Sequence, residues 1–295
     1  TPISPTPYRG RFAPSPSGTL HFGSLFAAVV SYLDAKASRG QWLVRIEDLD
    51  PAREQAGASA DILATLVAHG LEWDETETYQ SDRLELYRAN LNTLHQQERL
   101  FWCQCSRKDL SAHPVYPGTC SSQRQPVANA AVRFRVLTEQ DRFIDRFQGL
   151  QVSAPRDQAG AVVVLRKDGL FAYQLAVVSD DIDQSINQVV RGIDILESVW
   201  WQRELYRALG APLPRYGHFP VLLSPNSAQK LSKQNLSPAI QNATAGANLL
   251  RILQALGITL TPDSPHRLLQ QAVACWREDP ISFQLPLQSQ NLRLD

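Results

Sequence analysis

The chain has 295 residues, with 29 Lys and Arg against 29 Asp and Glu, 43% hydrophobic residues, 20% charged residues and four Cys. A folded chain of this size buries about 75% of the surface that its unfolded form exposes, so its core needs no disulfides, and a near-average composition excludes a mainly disordered, collagen-like or coiled-coil protein. No apolar run approaches the roughly 18–20 residues of a membrane span, and Thr1–Pro7 has neither the basic start nor the apolar stretch of a signal peptide. These features predict a soluble cytoplasmic protein with no membrane partner, built as one large domain with an insertion or as two domains. A net charge of zero confines any nucleic-acid contact to a local patch.

The elements follow in chain order. A short apolar segment, Tyr8 to Ala13, runs into the turn cluster Pro14-Ser-Pro-Ser-Gly18. Phe22, Leu25, Phe26, Val29, Val30 and Leu33 then form one helical stripe, with Gly40 as its expected C-cap. Gln41–Ile46 reads as a buried strand, so the first 50 residues predict the start of a parallel α/β sheet. Helical stretches are expected over about 54–69 and 81–98. Around Phe101 the composition turns to Cys, Pro, Gly and Ser, the start of an insertion that continues through Ala131–Val136 to about Asp157. The apolar pattern resumes at Ala161–Leu165 and Leu170–Val178. A crossover helix is predicted over Asp194–Leu209, and a last strand over His218–Leu223 leads into a polar loop, Ser224–Ser237. The tail shows two helical stripes, one through Leu249, Leu250, Leu253 and Leu256, the other through Leu268, Leu269, Ala272, Val273 and Trp276; Cys275 on the second is expected in the core. The division expected is 1–100 and 158–240 for the two halves of an α/β domain, 101–157 for the insertion and 241–295 for a helical segment.

Two stretches carry the chemistry. In Arg11-Phe-Ala-Pro-Ser-Pro-Ser-Gly-Thr-Leu-His-Phe-Gly-Ser24 a strand meets a turn and a helix that starts at His21, Phe22 and Gly23. Free N–H groups at a helix start seat phosphates, His21 can donate to a phosphate oxygen, and Gly23 lets a ligand approach the backbone. Alone, this reads equally well as a Pro-stiffened turn. Lys230-Leu-Ser-Lys-Gln234 places two point charges three residues apart, able to clamp a polyphosphate, although by itself such a string is ordinary solvated surface.

Together the two stretches resemble the "HIGH" and "KMSKS" elements of class I aminoacyl-tRNA synthetases. Arg11-Phe-Ala-Pro-Ser-Pro-Ser-Gly18 and Arg45-Ile-Glu-Asp-Leu-Asp-Pro51 resemble the glutamyl enzymes in particular, and the likeness extends over residues 8–245 through Tyr173-Gln-Leu-Ala-Val-Val-Ser-Asp-Asp181 and Val189-Val-Arg-Gly192. The resemblance implies a Rossmann-type parallel sheet with a zinc-containing insertion and a short C-terminal helical segment. It places Arg11, Ala13, Ser15, Glu47, Tyr173 and Arg191 around L-glutamate, with Glu47 on the ammonium and Arg191 and Arg11 on carboxylate, as suits guanidinium forks. It assigns ATP to His21, Gly23 and Lys233, with Mg2+ accompanying the nucleotide, and charge stabilisation to His21, Lys230 and Lys233. Three departures stand out: Ser24 closes the first motif, Gln234 ends the second, and Val177 replaces an Asn that the glutamyl enzymes usually carry.

Cys103-Gln-Cys105 with Cys120 in a turn-rich loop points to a metal rather than a disulfide in an intracellular chain. Zinc takes four ligands. Ligand chemistry nominates His113 as the fourth; the resemblance implies Tyr116, in a structural Zn2+ site. After Gln234 the chain runs only to Asp295, and Ala245–Asp295 holds four Arg, no Lys and four acidic residues, a stretch without the electrostatic footprint of an RNA-binding domain. This pattern resembles the bacterial glutamyl-Q tRNA(Asp) synthetases, which implies activation of glutamate by ATP and its transfer to queuosine in the anticodon of tRNA(Asp). A minimal glutamyl-tRNA synthetase charging a 3′ end and a non-catalytic glutamate- or RNA-binding paralogue are the rival readings.

Overall fold

A computed structural model describes residues 6–223, 240–278 and 291–293. The chain begins with β1 (Arg9–Phe12), α1 (Phe22–Ala37), β2 (Gln41–Ile46), α2 (Ala58–Ala68), β3 (Thr78–Tyr79) and α3 (Leu84–Gln96). Strands β1, β2 and β3 pair in parallel, with Arg9 opposite Gln41 and Arg45 opposite Thr78. The crossover α1 covers this sheet because Leu25, Phe26, Val29, Val30 and Leu33 form the stripe that the sequence predicts, each no more than 1% exposed. Full burial of such a side chain contributes about 1.5–3 kcal/mol. The end of α1 differs from expectation. Ser38 is the C-cap, Arg39 takes the left-handed conformation with φ 53°, and the Gly40 amide donates to the Ala35 carbonyl at 2.8 Å. Gly40 is instead required by close packing, since a Cβ there would lie 2.6 Å from the Tyr8 carbonyl oxygen.

An antiparallel unit follows: β4 (Leu100–Cys103), α4 (Arg107–Leu110), β5 (Ala131–Arg135), β6 (Asp141–Asp145), β7 (Gly149–Ser153), α5 (Pro155–Ala159) and β8 (Ala161–Leu165). Strands β4, β5 and β8 form one antiparallel sheet, while β6 and β7 make a separate hairpin. The sheet takes its third strand from beyond residue 157.

The parallel architecture resumes with α6 (Tyr173–Asp183), β9 (Gln188–Gly192), α7 (Ser198–Ala208) and β10 (Arg215–Phe219). Strands β9 and β10 pair in parallel from Gln188 opposite Arg215. β9 lies beside β1: the Asn187 amide donates to the Arg9 carbonyl at 3.1 Å, and the Arg9 amide donates to Asn187 Oδ1 at 2.9 Å. β11 (Val221–Leu223), α8 (Ala245–Ala255), α9 (Pro265–Glu278) and β12 (Asn291–Arg293) complete the described chain. Several boundaries move from the sequence reading. α2 starts only after Gly57, whose φ of 80° breaks the run, and a 3-10 turn over Gln80–Arg83 precedes α3. The helix expected over Asp194–Leu209 is split into a 3-10 turn, Ile193–Ile195, and α7. The expected last strand is divided at Pro220, which has no N–H to give to a ladder. Cys275 is exposed, so it belongs to the outer face of α9 and not to the core.

One buried carboxylate joins distant parts. Asp34 of α1 accepts from Tyr8 Oη at 2.5 Å, from both terminal nitrogens of Arg146 at 2.6 and 2.7 Å, and from Trp276 Nε1 of α9 at 3.2 Å. Among the described residues, no helix is long and apolar enough to cross a membrane.

Candidate active site

The ends of β1, β2 and β9 and the start of α6 enclose a cavity of about 170 Å³ lined by Arg11, Ala13, Glu47, Tyr173 and Arg191, among others. The structure therefore gathers five of the six residues expected around an amino acid. Ligand sites at the carboxyl ends of parallel strands are the general rule for open α/β sheets.

The cavity is backed by an internal charge network. Arg11 Nε donates to both oxygens of Asp181 at 3.0 and 3.2 Å. Arg45 Nη1 donates to Asp181 Oδ1 at 2.8 Å and to Gln184 Oε1 at 2.7 Å, and Arg45 Nε lies 3.5 Å from Asp180 Oδ2. Asp180 also accepts from Gln80, Arg83 and Tyr87. Arg45 and Asp180 are fully buried. Burial alone would neutralise Asp181, but the Arg11 and Arg45 guanidinium groups hold its carboxyl below the ordinary value. The sequence reading gave no role to Arg45, Asp180 or Asp181. Two adjacent acids closing the apolar run Leu175–Val178 were the available signal.

Glu47 is different. Its Oε1 is enclosed without a hydrogen-bond donor and lies 3.7 Å from Arg45 Nη2. Burial pushes its carboxyl up to about 7, against the pull of Arg45 and Arg11. A cationic group entering the cavity would restore its charge. Arg191, 6% exposed, donates through Nε to His218 Nε2 at 3.0 Å, and its Nη1 and Nη2 reach Tyr173 Oη and the Ile195 carbonyl only at 3.5 Å. Guanidinium on one wall and carboxylate on another suit a small zwitterion.

A second cavity, about 610 Å³, adjoins the first and shares Phe12, Ala13, Ala27, Gly192 and Ile195 with it. It also exposes Ser15, His21, Gly23, Arg53 and Asp194. Ser15 of the expected amino-acid set lies in this second chamber. Gly18, with φ 132°, makes the turn that brings the chain to α1. His21 is the N-cap of α1: its Nδ1 accepts from the Ser24 amide at 3.3 Å, and its Nε2 is 3.0 Å from Ser24 Oγ. The helix start and the imidazole thus share one wall. Lys230 and Lys233 lie outside the described residues.

In the antiparallel unit, the sulfurs of Cys103, Cys105 and Cys120 lie within 4.8 Å of one another, with Cys105 and Cys120 at 3.6 Å, too long for a disulfide and close enough to share a cation. Tyr116 Oη accepts from the Cys120 amide at 2.9 Å and packs with the same thiols. Burial raises the Cys103 thiol, but hydrogen bonds led by Tyr116 bring it down to about 7; burial and its sulfur neighbours push Cys105 up to about 11. This donor set suits a thiophilic metal such as zinc.

Comparison with known proteins agrees with this geometry. Residues 8–265 match the family model described as class I tRNA synthetases (E and Q), catalytic domain. A glutamyl-Q tRNA(Asp) synthetase of Idiomarina loihiensis is 45% identical over 274 residues, covering 91% of this chain and 96% of its own length. One of Pseudomonas fluorescens is 49% identical over 251 residues, covering 85% and 84%. The chain belongs to this family. It is a ligase of the aminoacyl-tRNA synthetase type. Among solved structures, a glutamate tRNA ligase from Elizabethkingia meningosepticum, in complex with its amino acid, superposes with a TM-score of 0.75 at 21% identity, over 90% of this chain and 64% of that one. A glutamate-tRNA synthetase from Elizabethkingia anophelis gives 0.68 at 25% identity, over 78% and 53%. The chain thus spans less than two thirds of either solved enzyme and nearly all of the Idiomarina relative. The fold is that of a class I synthetase, with a parallel and an antiparallel component.

Proposed function

We propose that this enzyme activates L-glutamate with ATP and transfers it to the queuosine base in the anticodon of tRNA(Asp). The observation that carries the proposal is the adjacency of the two cavities, an amino-acid-sized chamber walled by Arg191 and Glu47 that shares five lining residues with a larger one at the start of α1. The names of the relatives at 43–49% identity support the acceptor.

In this reading Glu47 holds the α-ammonium, and Arg191 and Arg11, with Tyr173, hold carboxylate, while Ala13 and Ser15 shape the passage between the chambers. A glutamate carboxylate oxygen attacks the α-phosphorus of ATP in line, and pyrophosphate leaves. His21, the amides at the start of α1 around Gly23, and Lys230 and Lys233 stabilise the charge that develops, so catalysis is largely positioning and electrostatics. Mg2+ bound with ATP would neutralise phosphate charge. A hydroxyl of the queuosine cyclopentenediol then attacks the acyl carbon and displaces AMP, leaving an ester and releasing the hydroxyl proton.

Cys103, Cys105, Tyr116 and Cys120 would hold one structural zinc, keeping the turn-rich loop after β4 folded within an insertion spanning about 101–157. Tyr116, whose oxygen sits on the Cys120 amide, is favoured over the exposed His113.

The test is transfer of labelled glutamate to tRNA with and without queuosine, with 3′ ends blocked and, in parallel, free. Label appearing only on queuosine-containing tRNA(Asp) is expected. Label that requires a free 3′ end on tRNA(Glu) would instead make this a conventional glutamyl-tRNA synthetase, and pyrophosphate exchange that ignores glutamate would defeat the activation step.

A further inference from the structure

Two buried side chains behind Arg191 have no part in the account above. His218 of β10 accepts from Arg191 Nε at Nε2, 3.0 Å, and its Nδ1 is 2.6 Å from Asp145 Oδ2. A guanidinium can only donate, so Nε2 must be the acceptor and the imidazole proton must sit on Nδ1, facing the carboxylate. Asp145 in turn accepts at Oδ1 from the backbone amides of Phe147, Gln148 and His218, each at 3.0 Å. Neither His218 nor Asp145 is more than 1% exposed. Every donor in this chain has one acceptor, and its direction is fixed: amides to Asp145, His218 to Asp145, Arg191 to His218. Burial, and next to it the Arg191 charge, press the imidazole down to about 4 despite the aspartate, which agrees with a neutral ring.

The second point is where Asp145 comes from. It ends β6, in the antiparallel unit, whereas Arg191 and His218 stand on the paired parallel strands β9 and β10. The loop after Asp145 is seated on β10 by three contacts. The Arg146 amide donates to the Tyr216 carbonyl at 2.9 Å, Gln148 Nε2 donates to the His218 carbonyl at 2.7 Å, and the Phe147 ring lies so close beneath Gly217 that a Cβ there would meet it at 2.8 Å. The contrast along Arg191 is informative. Its one short hydrogen bond points backwards to His218, while both terminal nitrogens have only long contacts at the cavity wall, leaving their capacity for a ligand.

We infer that Asp145 and His218 are positioning residues which aim Arg191 at a carboxylate of the amino-acid substrate, so that the β6–β7 hairpin forms the rear support of the amino-acid chamber. This rests on the reading that Arg191 binds substrate carboxylate.

The test is glutamate-dependent ATP–pyrophosphate exchange, with glutamate binding by calorimetry and thermal melting alongside, on the full chain and on Arg191→Ala, Asp145→Asn, His218→Leu and His218→Gln. In Asp145→Asn the amide N–H can face imidazole Nδ1, which moves the ring proton to Nε2 and sets two donors against each other at Arg191. The KM for glutamate should rise about 10–100-fold, as for one lost charge-assisted hydrogen bond, with the KM for ATP unchanged and kcat at saturating glutamate nearly so. His218→Leu should match it. His218→Gln, which keeps an acceptor for Arg191, should recover most of the loss, and adding Asp145→Asn to it should then cost little, because no ring tautomer remains to be disturbed. Equal rises in both KM values that track melting temperature would show a structural role and overturn the inference. So would a normal glutamate KM in Asp145→Asn and His218→Leu while Arg191→Ala is impaired. A normal glutamate KM in Arg191→Ala would instead remove the reading on which the inference rests. Should Asp145→Asn not fold, the Leu and Gln substitutions at His218 decide between the same outcomes.

Discussion

The amino-acid chamber and the thiol cluster are both polar sites set in apolar surroundings, yet the protein finishes them to different degrees. Behind the chamber, charges are matched within the chain: Arg11 and Arg45 share Asp181, and Asp180 takes Gln80, Arg83 and Tyr87. At the cluster, three sulfurs and a phenol face one another, and the Arg133 guanidinium packs over the Tyr116 ring. The first site is ordered by folding alone. The second groups donors that could hold a metal cation. Matched buried charges cost a great deal to unmatch, whereas a donor cluster draws much of its stability from the ion that it binds.

The largest effect is expected where one carboxylate serves two guanidinium groups. Asp181→Ala would leave Arg11 and Arg45 buried and underpaired, with a cost of about 3–5 kcal/mol in chemical denaturation; a loss under 1 kcal/mol would mean that Asp180 and water take over. Cys105→Ser comes next. Metal content should fall from about one ion per chain, with a lower melting temperature and a glutamate KM close to that of the unaltered protein; an altered glutamate KM would join the two sites that the comparison separates.

Glu47 tests the exception inside the chamber, the one carboxylate there that burial leaves near 7. Its folded-state value lies above its ordinary value of 4.5, so the folded protein holds the proton longer than the unfolded chain, and its contribution to stability falls as pH rises from about 4.5 to 7. Binding of an ammonium runs the other way, because it needs the charged form. Between pH 6 and 8 the glutamate KM should therefore fall by about tenfold, and Glu47→Gln should raise the KM and flatten that dependence. A pH profile unaltered by the substitution would assign the ammonium elsewhere. The smallest effect belongs to Cys275→Ser, under about 0.5 kcal/mol for an exposed position; a larger destabilisation would restore the core position that its helical stripe predicts.

The chamber was unevenly legible. Arg11, Glu47, Tyr173 and Arg191 sit in contiguous motifs, and the structure brings all four to one cavity. The same motifs name Arg45, Asp180 and Asp181 without their work, because a side chain that supports a ligand group from behind obeys no local spacing. Cys275 misled for a related reason: periodicity identifies the apolar stripe of α9, but a small thiol beside it falls as readily on the outer face. Gly40 has the local pattern of a helix cap, but the demand on it is room for Tyr8, a residue on another segment.

Local order was determined by the sequence itself. The stripe of α1, the turn at Gly18 and the alternation of helix with strand all depend on neighbours a few residues apart, whose geometry the backbone repeats enforce. Tertiary structure alone decided which groups face each other across long separations: Asp34 with Arg146 and Trp276, Arg11 with Asp181, and Asp145 with His218 and Arg191. Those pairings exist because burial makes every unpaired charge costly, and a buried group takes its partner from whichever strand the fold lays beside it.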